Sequence, residues 1–269
     1  MIKTLSQMSE DSKNHNIGIT VPVSGEIITE KRAVLLKSLL NDRFEIAIHG
    51  FHHEDFSIQP LETLIEDISK AKSVFEKCGL SPTGYRAPYL RSRADLLLLL
   101  AKNGFSYSSS GTTIMNWVKA KNRDLLMKAN KIASGIYESK QINKEDYKDT
   151  EIPTEIPVSL PDDEILIDRM GIRDVGLLGS ILEDEIRASL ESVSFAVIQI
   201  HPERYPLMRE ALFSAVENLR SEGGIRFVTL QTLSDSLRSR PISADTSGVE
   251  KLVCVTGDLD IMSLSDLWN

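Results

Sequence analysis

The sequence predicts an α/β fold in which a parallel sheet is covered by helices. Three observations carry that expectation. Short β-rich runs alternate with amphipathic helical stretches, the joints between them are brief, and several apolar strands stop abruptly at histidine, arginine or paired carboxylates.

Residues 1–14 set Ile2, Leu5 and Met8 at helical spacing, and residues 17–23 are β-rich, so the chain opens with a helix and then a strand. Residues 30–40 repeat Ala33, Leu36, Leu39 and Leu40 on one helical face. The apolar strand at 45–48 then delivers His49-Gly50-Phe51-His52-His53, with three of the chain's five histidines. The clearest helix covers 60–78: Pro60 stands in its first turn, Leu61, Leu64, Ile65, Ile68, Ala71 and Phe75 form one stripe, and Gly79 stops it. A short strand at 84–89 turns at Pro88, a helix passes through Leu96 to Leu100, and a strand follows at 105–107.

Residues 112–150 interrupt this rhythm and, being Lys-rich and only partly amphipathic, are expected to be a helical insertion. Two prolines confine 155–161 to an extended edge or loop-entry strand that delivers Asp162 and Asp163. A helix at 180–190 precedes the apolar strand 195–200, which stops at His201-Pro202. A helix at 208–219, a strand at 226–230 and a helix from 232 follow. Residues 238–250 read as a linker. Residues 251–269 form a tail whose strand ends in Asp258 and Asp260, and 1–269 is expected to be a single domain.

Composition narrows the function. At 41% hydrophobic residues the chain can build a substantial core, and a net charge of -8 without a basic run argues against nucleic acid or an anionic membrane as partner. Cys78 and Cys254 sit in apolar segments and make neither a disulfide framework nor a Cys-x-x-Cys site. There is no leader-like start and no apolar segment of the ~18 residues a transmembrane span needs, so the expected location is cytoplasmic.

In a barrel-like parallel sheet the strand ends share one rim. That rim would gather His49 and His53, Arg86, His201, Asp258 and Asp260. The types fit one mechanism: two histidines and a carboxylate for a metal with open positions, a second carboxylate as base, an arginine to hold it and a histidine as acid.

These residues resemble the polysaccharide deacetylases, carbohydrate esterase family 4. The family's His-Ser/Thr-x-x-His motif is similar to His49-Gly50-Phe51-His52-His53, with Gly50 in place of the hydroxyl residue. Arg86-Ala87-Pro88-Tyr89 matches Arg-x-Pro-Tyr, and Ile198-Gln199-Ile200-His201-Pro202 matches the late strand ending in a catalytic histidine. The family's opening strand, with its Asp pair, has no counterpart before Ile17. Val255-Thr256-Gly257-Asp258-Leu259-Asp260 resembles it at the other end of the chain, Ser263 to Trp268 reads as the loop and first helical turn behind it, and residues 1–14 read as the rest of that helix. The expectation is therefore a circularly permuted deacetylase; the alternatives are a truncated enzyme, or a dimer that exchanges its tail strands.

The resemblance implies a distorted or incomplete seven-stranded (β/α) barrel and removal of an acetyl group from an N-acetylated carbohydrate. It implies a divalent metal, Zn²⁺ or a similar ion, on His49, His53 and Asp260. Asp258 would be the base, oriented by Arg86, the Tyr89 N–H would stabilise the oxyanion, and His201 would be the acid, tuned by Asp163 or, as second choice, Asp162. His52 and His15 carry no assigned role. Tyr89, Trp117 and Phe56 are candidate sugar platforms. The competing expectation is a catalytically degenerate carbohydrate-binding or interaction module with the same fold.

Overall fold

The structure is a computed structural model and describes residues 1–138, 152–239 and 250–260. Its first half runs α1 (Ile2–Asn14), β1 (Ile19–Val23), α2 (Glu30–Leu39), β2 (Phe44–Ile48), α3 (Leu61–Lys77), β3 (Gly84–Tyr85), α4 (Leu96–Lys102) and β4 (Tyr107–Ser108). The second half runs β5 (Thr112–Ile114), α5 (Arg123–Ala133), β6 (Thr154–Glu155), β7 (Val158–Leu160), α6 (Val175–Val193), β8 (Phe195–Gln199), α7 (Tyr205–Ser221), β9 (Ile225–Phe227), α8 (Leu230–Ser239) and β10 (Lys251–Thr256).

The strands form a curled sheet in the order β6-β4-β3-β2-β1-β10-β8, with β9 also paired to β10 and a separate β5-β7 pair. All these ladders are parallel. This is the expected distorted, incomplete barrel of the deacetylase type. Buried strands of this kind need apolar residues on both faces, and every residue of β1 and β8 is buried.

Among the described residues, the last strand in sequence lies beside the first. β10 aligns Ile19 with Val255 on one side and Val255 with Ile198 on the other, so it separates β1 from β8. Beyond the ladder, Pro22 has no N–H to offer, but its carbonyl accepts the Leu259 N–H at 2.8 Å and keeps the tail in register. Helix α1 is anchored by buried Leu5 and Met8 and by Asp11, which accepts from Tyr205 Oη at 2.9 Å and from Arg209 Nε and Nη2 at 2.7 Å each.

Three expectations change. Residues 112–150 are not purely helical: Thr112–Ile114, a β-branched run, pairs with β7 before α5 begins, and 139–150 lie outside the described residues. The predicted strand at 226–230 ends at Phe227, because Thr229 starts α8 by accepting the Thr232 N–H on its hydroxyl and the Leu233 N–H on its carbonyl. The strand at 155–161 divides at Pro157 into β6 and β7. Most of the 238–250 linker, and Ser263 to Trp268, also lie outside the described residues.

Candidate active site

The site starts where β2 ends. Gly50 adopts φ +69°, a left-handed turn that glycine takes without steric cost, and the loop behind it is held by Asp67 of α3, which accepts the N–H of Phe51 at 2.7 Å and of His52 at 3.0 Å. His49 is fully buried. Its Nδ1 donates to the Arg86 carbonyl at 2.9 Å, which leaves the Nε2 lone pair facing inward.

Around that lone pair three residues converge. His49 Nε2 lies 3.3 Å from Asp260 Oδ1, and His53 Nε2 lies 3.3 Å from Asp260 Oδ2. One donor atom from each of the three sits within 4.8 Å of the others. His49 Nε2 and Asp260 Oδ1 are buried without a hydrogen-bond partner, which is costly for polar atoms unless something binds them. Burial opposes positive charge on His49, but Asp258 and Asp260 outweigh it and raise its pKa, so the site favours a cation at Nε2. Two imidazoles and one carboxylate are a donor set for a borderline divalent metal with positions left open.

Beside it, Asp258 Oδ2 stands 3.7 Å from His49 Nε2, and Asp258 Oδ1 accepts from Arg86 Nη1 at 2.8 Å. Burial would raise the Asp258 pKa; Arg86 foremost, with His49 and His201, overcomes it and pushes it down to about 2. Arg86 is itself fixed: Nε donates to the Ser109 carbonyl at 2.8 Å, Nη2 to Ser109 Oγ at 2.7 Å and Nη1 also to Thr256 Oγ1 at 2.9 Å.

From the other side comes His201. Its Nδ1 and backbone N–H both donate to Asp163, at 2.7 Å each. Burial works against the imidazolium, but Asp163 prevails and the His201 pKa is pushed up to about 10. Asp162, the second choice for this role, turns away to the Ile165 N–H and the Tyr137 hydroxyl. Gln199 stands between His201 and Asp258, with Nε2 at 3.1 Å from both His201 Nε2 and Asp258 Oδ2.

Residues 7–108 match the family model for polysaccharide deacetylase. That stretch is similar to a polysaccharide deacetylase domain and covers less than half of the chain. A peptidoglycan deacetylase-like protein, FGM2 of Gibberella zeae, is 33% identical over 75 residues, 28% of this chain and 22% of that protein, so the match spans about a fifth of the relative's length. Among solved structures, one from Mycobacterium smegmatis named as a polysaccharide deacetylase has a TM-score of 0.57 at 17% identity, covering 90% of this chain and 81% of its own. Puue allantoinase has a TM-score of 0.60 at 15% identity, covering 86% and 71%. At such identities the two structures speak for the fold.

The deacetylase match takes in His49, His53 and Arg86 and ends before Asp163, His201 and the tail pair. Tyr89 has a left-handed backbone (φ 59°, ψ 13°), rare for a bulky residue, and its half-exposed ring lies 4.4 Å from the His53 ring. Trp117 and Phe56 are buried in the core and offer a sugar no face. His52 pairs with Glu26 at 3.5 Å, and His15 stacks on Phe213. Sequence reading missed Asp67, Ser109 and Gln199. The signal for Asp67 is a carboxylate buried in a helix beside Ile68, and for Ser109 the run Ser108-Ser109-Ser110 at a strand end. Among the described residues, no helix is long and apolar enough to cross a membrane.

Proposed function

We propose that the protein is a metal-dependent hydrolase that removes the acetyl group from an N-acetylated sugar or polysaccharide. The observation that carries this reading is the convergence of His49, His53 and Asp260, from opposite ends of the chain, with Asp260 3.3 Å from each histidine and an ionised Asp258 beside them. A degenerate binding module would have no reason to keep the tail carboxylates against the histidines. We assign β10 the role of the family's displaced first strand, supplied by the same chain. The free Cys78 and Cys254 fit a reducing, cytoplasmic location.

His49, His53 and Asp260 would hold Zn²⁺ or a similar first-row ion. When bound, that ion supplies a Lewis acid that lowers the pKa of water and polarises the acetyl carbonyl. Asp258 takes the proton of the attacking water, and Arg86 keeps the carboxylate ionised and aimed. The backbone N–H of Tyr89 would stabilise the developing oxyanion, a role carried over from the family resemblance. His201, charged through Asp163, gives its proton to the departing amine. The products are acetate and the free amino sugar.

Metal analysis of the purified protein combined with acetate release from N-acetylated sugars tests this. Wild type should hold about one divalent ion per chain. Asp258→Asn should keep the ion and lose roughly 10²–10⁴-fold in kcat, the usual worth of a general base. A protein that binds no ion, or an Asp258→Asn variant as active as wild type, refutes the reading.

A further inference from the structure

Gln199 closes strand β8 two residues before His201, so both side chains leave the strand on the same face. It is 3% exposed, and its amide nitrogen lies 3.1 Å from Asp258 Oδ2 and 3.1 Å from His201 Nε2. Which end of the amide faces these groups is decided by Asp258. A carboxylate held ionised by Arg86 only accepts, so the –NH₂ end must point to it. The same –NH₂ then presents a donor to His201 Nε2.

That has a consequence for the acid. Neutral His201, with its proton on Nδ1 toward Asp163, can accept from Gln199 at Nε2. Charged His201 cannot, because N–H then meets N–H. Gln199 Oε1, which would be the natural acceptor, is turned away and has no partner among the described residues. The ionisable groups acting on His201 are Asp163 and, at longer range, Asp258 and Glu203; Asp162 lies beside Asp163, and Arg204 Nη1 is 4.0 Å from Asp163 Oδ2. Of these, Asp163 contacts Nδ1 and not Nε2.

We propose that Gln199 is a positioning residue for His201: pinned by Asp258, its amide denies the imidazolium Nε2 proton a protein acceptor and so reserves it for the leaving nitrogen. The inference rests on the deacetylase reading for its purpose, but its physical content concerns the ring alone. Replacing the amide by a carboxylate, Gln199→Glu, supplies the missing acceptor and should trap the proton. Gln199→Met removes the opposing donor and supplies no acceptor.

Histidine NMR titration of the metal-free protein, with His201 assigned from the spectrum of His201→Gln, reads this directly. The His201 pKa should rise in both variants, by about one unit or more in Gln199→Glu. In parallel, hydrolysis of an N-acetyl sugar, whose amine must be protonated to leave, should fall at least ~100-fold in Gln199→Glu. Hydrolysis of an activated aryl acetate, whose phenolate leaves unaided, should fall at least ~10-fold less than amide hydrolysis, and Gln199→Met should retain more amide hydrolysis than Gln199→Glu. An unmoved His201 pKa in both variants overturns the proposal, as does equal loss on amide and aryl ester. If the variants show the pKa shifts while the wild type hydrolyses neither substrate, the deacetylase reading is refuted and the Gln199 contact stands.

Discussion

At His201 the decisive quantity is the balance between burial and one carboxylate. Asp163 wins and moves the imidazole up to about 10, while Arg86 leads the groups that move Asp258 down to about 2. The two shifts set the pH response with opposite signs. His201 contributes stability fully below its unfolded value near 6.5 and loses it as pH rises through about 10. Asp258 contributes above its unfolded value near 4 and loses its contribution as pH falls toward 2. Over the broad window between, His201 is charged and Asp258 ionised, the forms that the proposed acid and base roles require. In Asp163→Asn the His201 pKa should fall toward the ordinary imidazole value, so the alkaline limb of kcat/KM should move down by more than one unit while the acid limb stays; a pH–rate profile measures this. His49, His53, Arg86 and His201 were legible in the sequence because each ends an apolar strand. Gln199 was not, since it reads as an ordinary strand residue until β10 brings Asp258 beside it.

The element that completes the site is β10, and its exit is tightly built. Gly257 follows the strand where the Ile200 backbone passes so close that an added Cβ would lie 2.0 Å from the Ile200 carbonyl oxygen. Alanine there must push the turn bearing Asp258 and Asp260 away from the strand bearing His201. Gly257→Ala should therefore lower Tm and cut activity by more than about tenfold, the sensitivity expected when reacting groups shift by a fraction of an ångström; circular dichroism melts and acetate release check it. Helix α3 was plain from its apolar stripe. The two-residue strands β3, β4 and β6 were harder, for too few residues alternate or cluster to register as a period, and their places are set by neighbours in the sheet.

Across the described residues the sheet order departs from the chain order most sharply where β10 lies between β1 and β8. If this strand is the family's first one displaced, a relinked chain that begins at residue 250, continues from 269 into Met1 and stops at Ser239 should fold, bind the same metal and keep activity within about tenfold. Metal content and melting temperature of that variant are the readouts. A tail supplied by the same chain also predicts specific activity that does not change on dilution, whereas strand exchange between chains would lose activity as dimers dissociate. The place of β10 was legible only through the missing Asp pair at the front of the chain, because composition and periodicity say nothing about which strands become neighbours.

Synthesis proceeds from the amino end, so β1 and β8 are both made well before the strand that must lie between them. Until residue 260 has emerged, the nascent sheet carries two unpaired edges facing a gap, a surface on which other chains can add strands. His49 and His53 wait in the same interval without their carboxylate. Gathering of the three donors and closure of the gap between β1 and β8 therefore both wait on the arrival of β10.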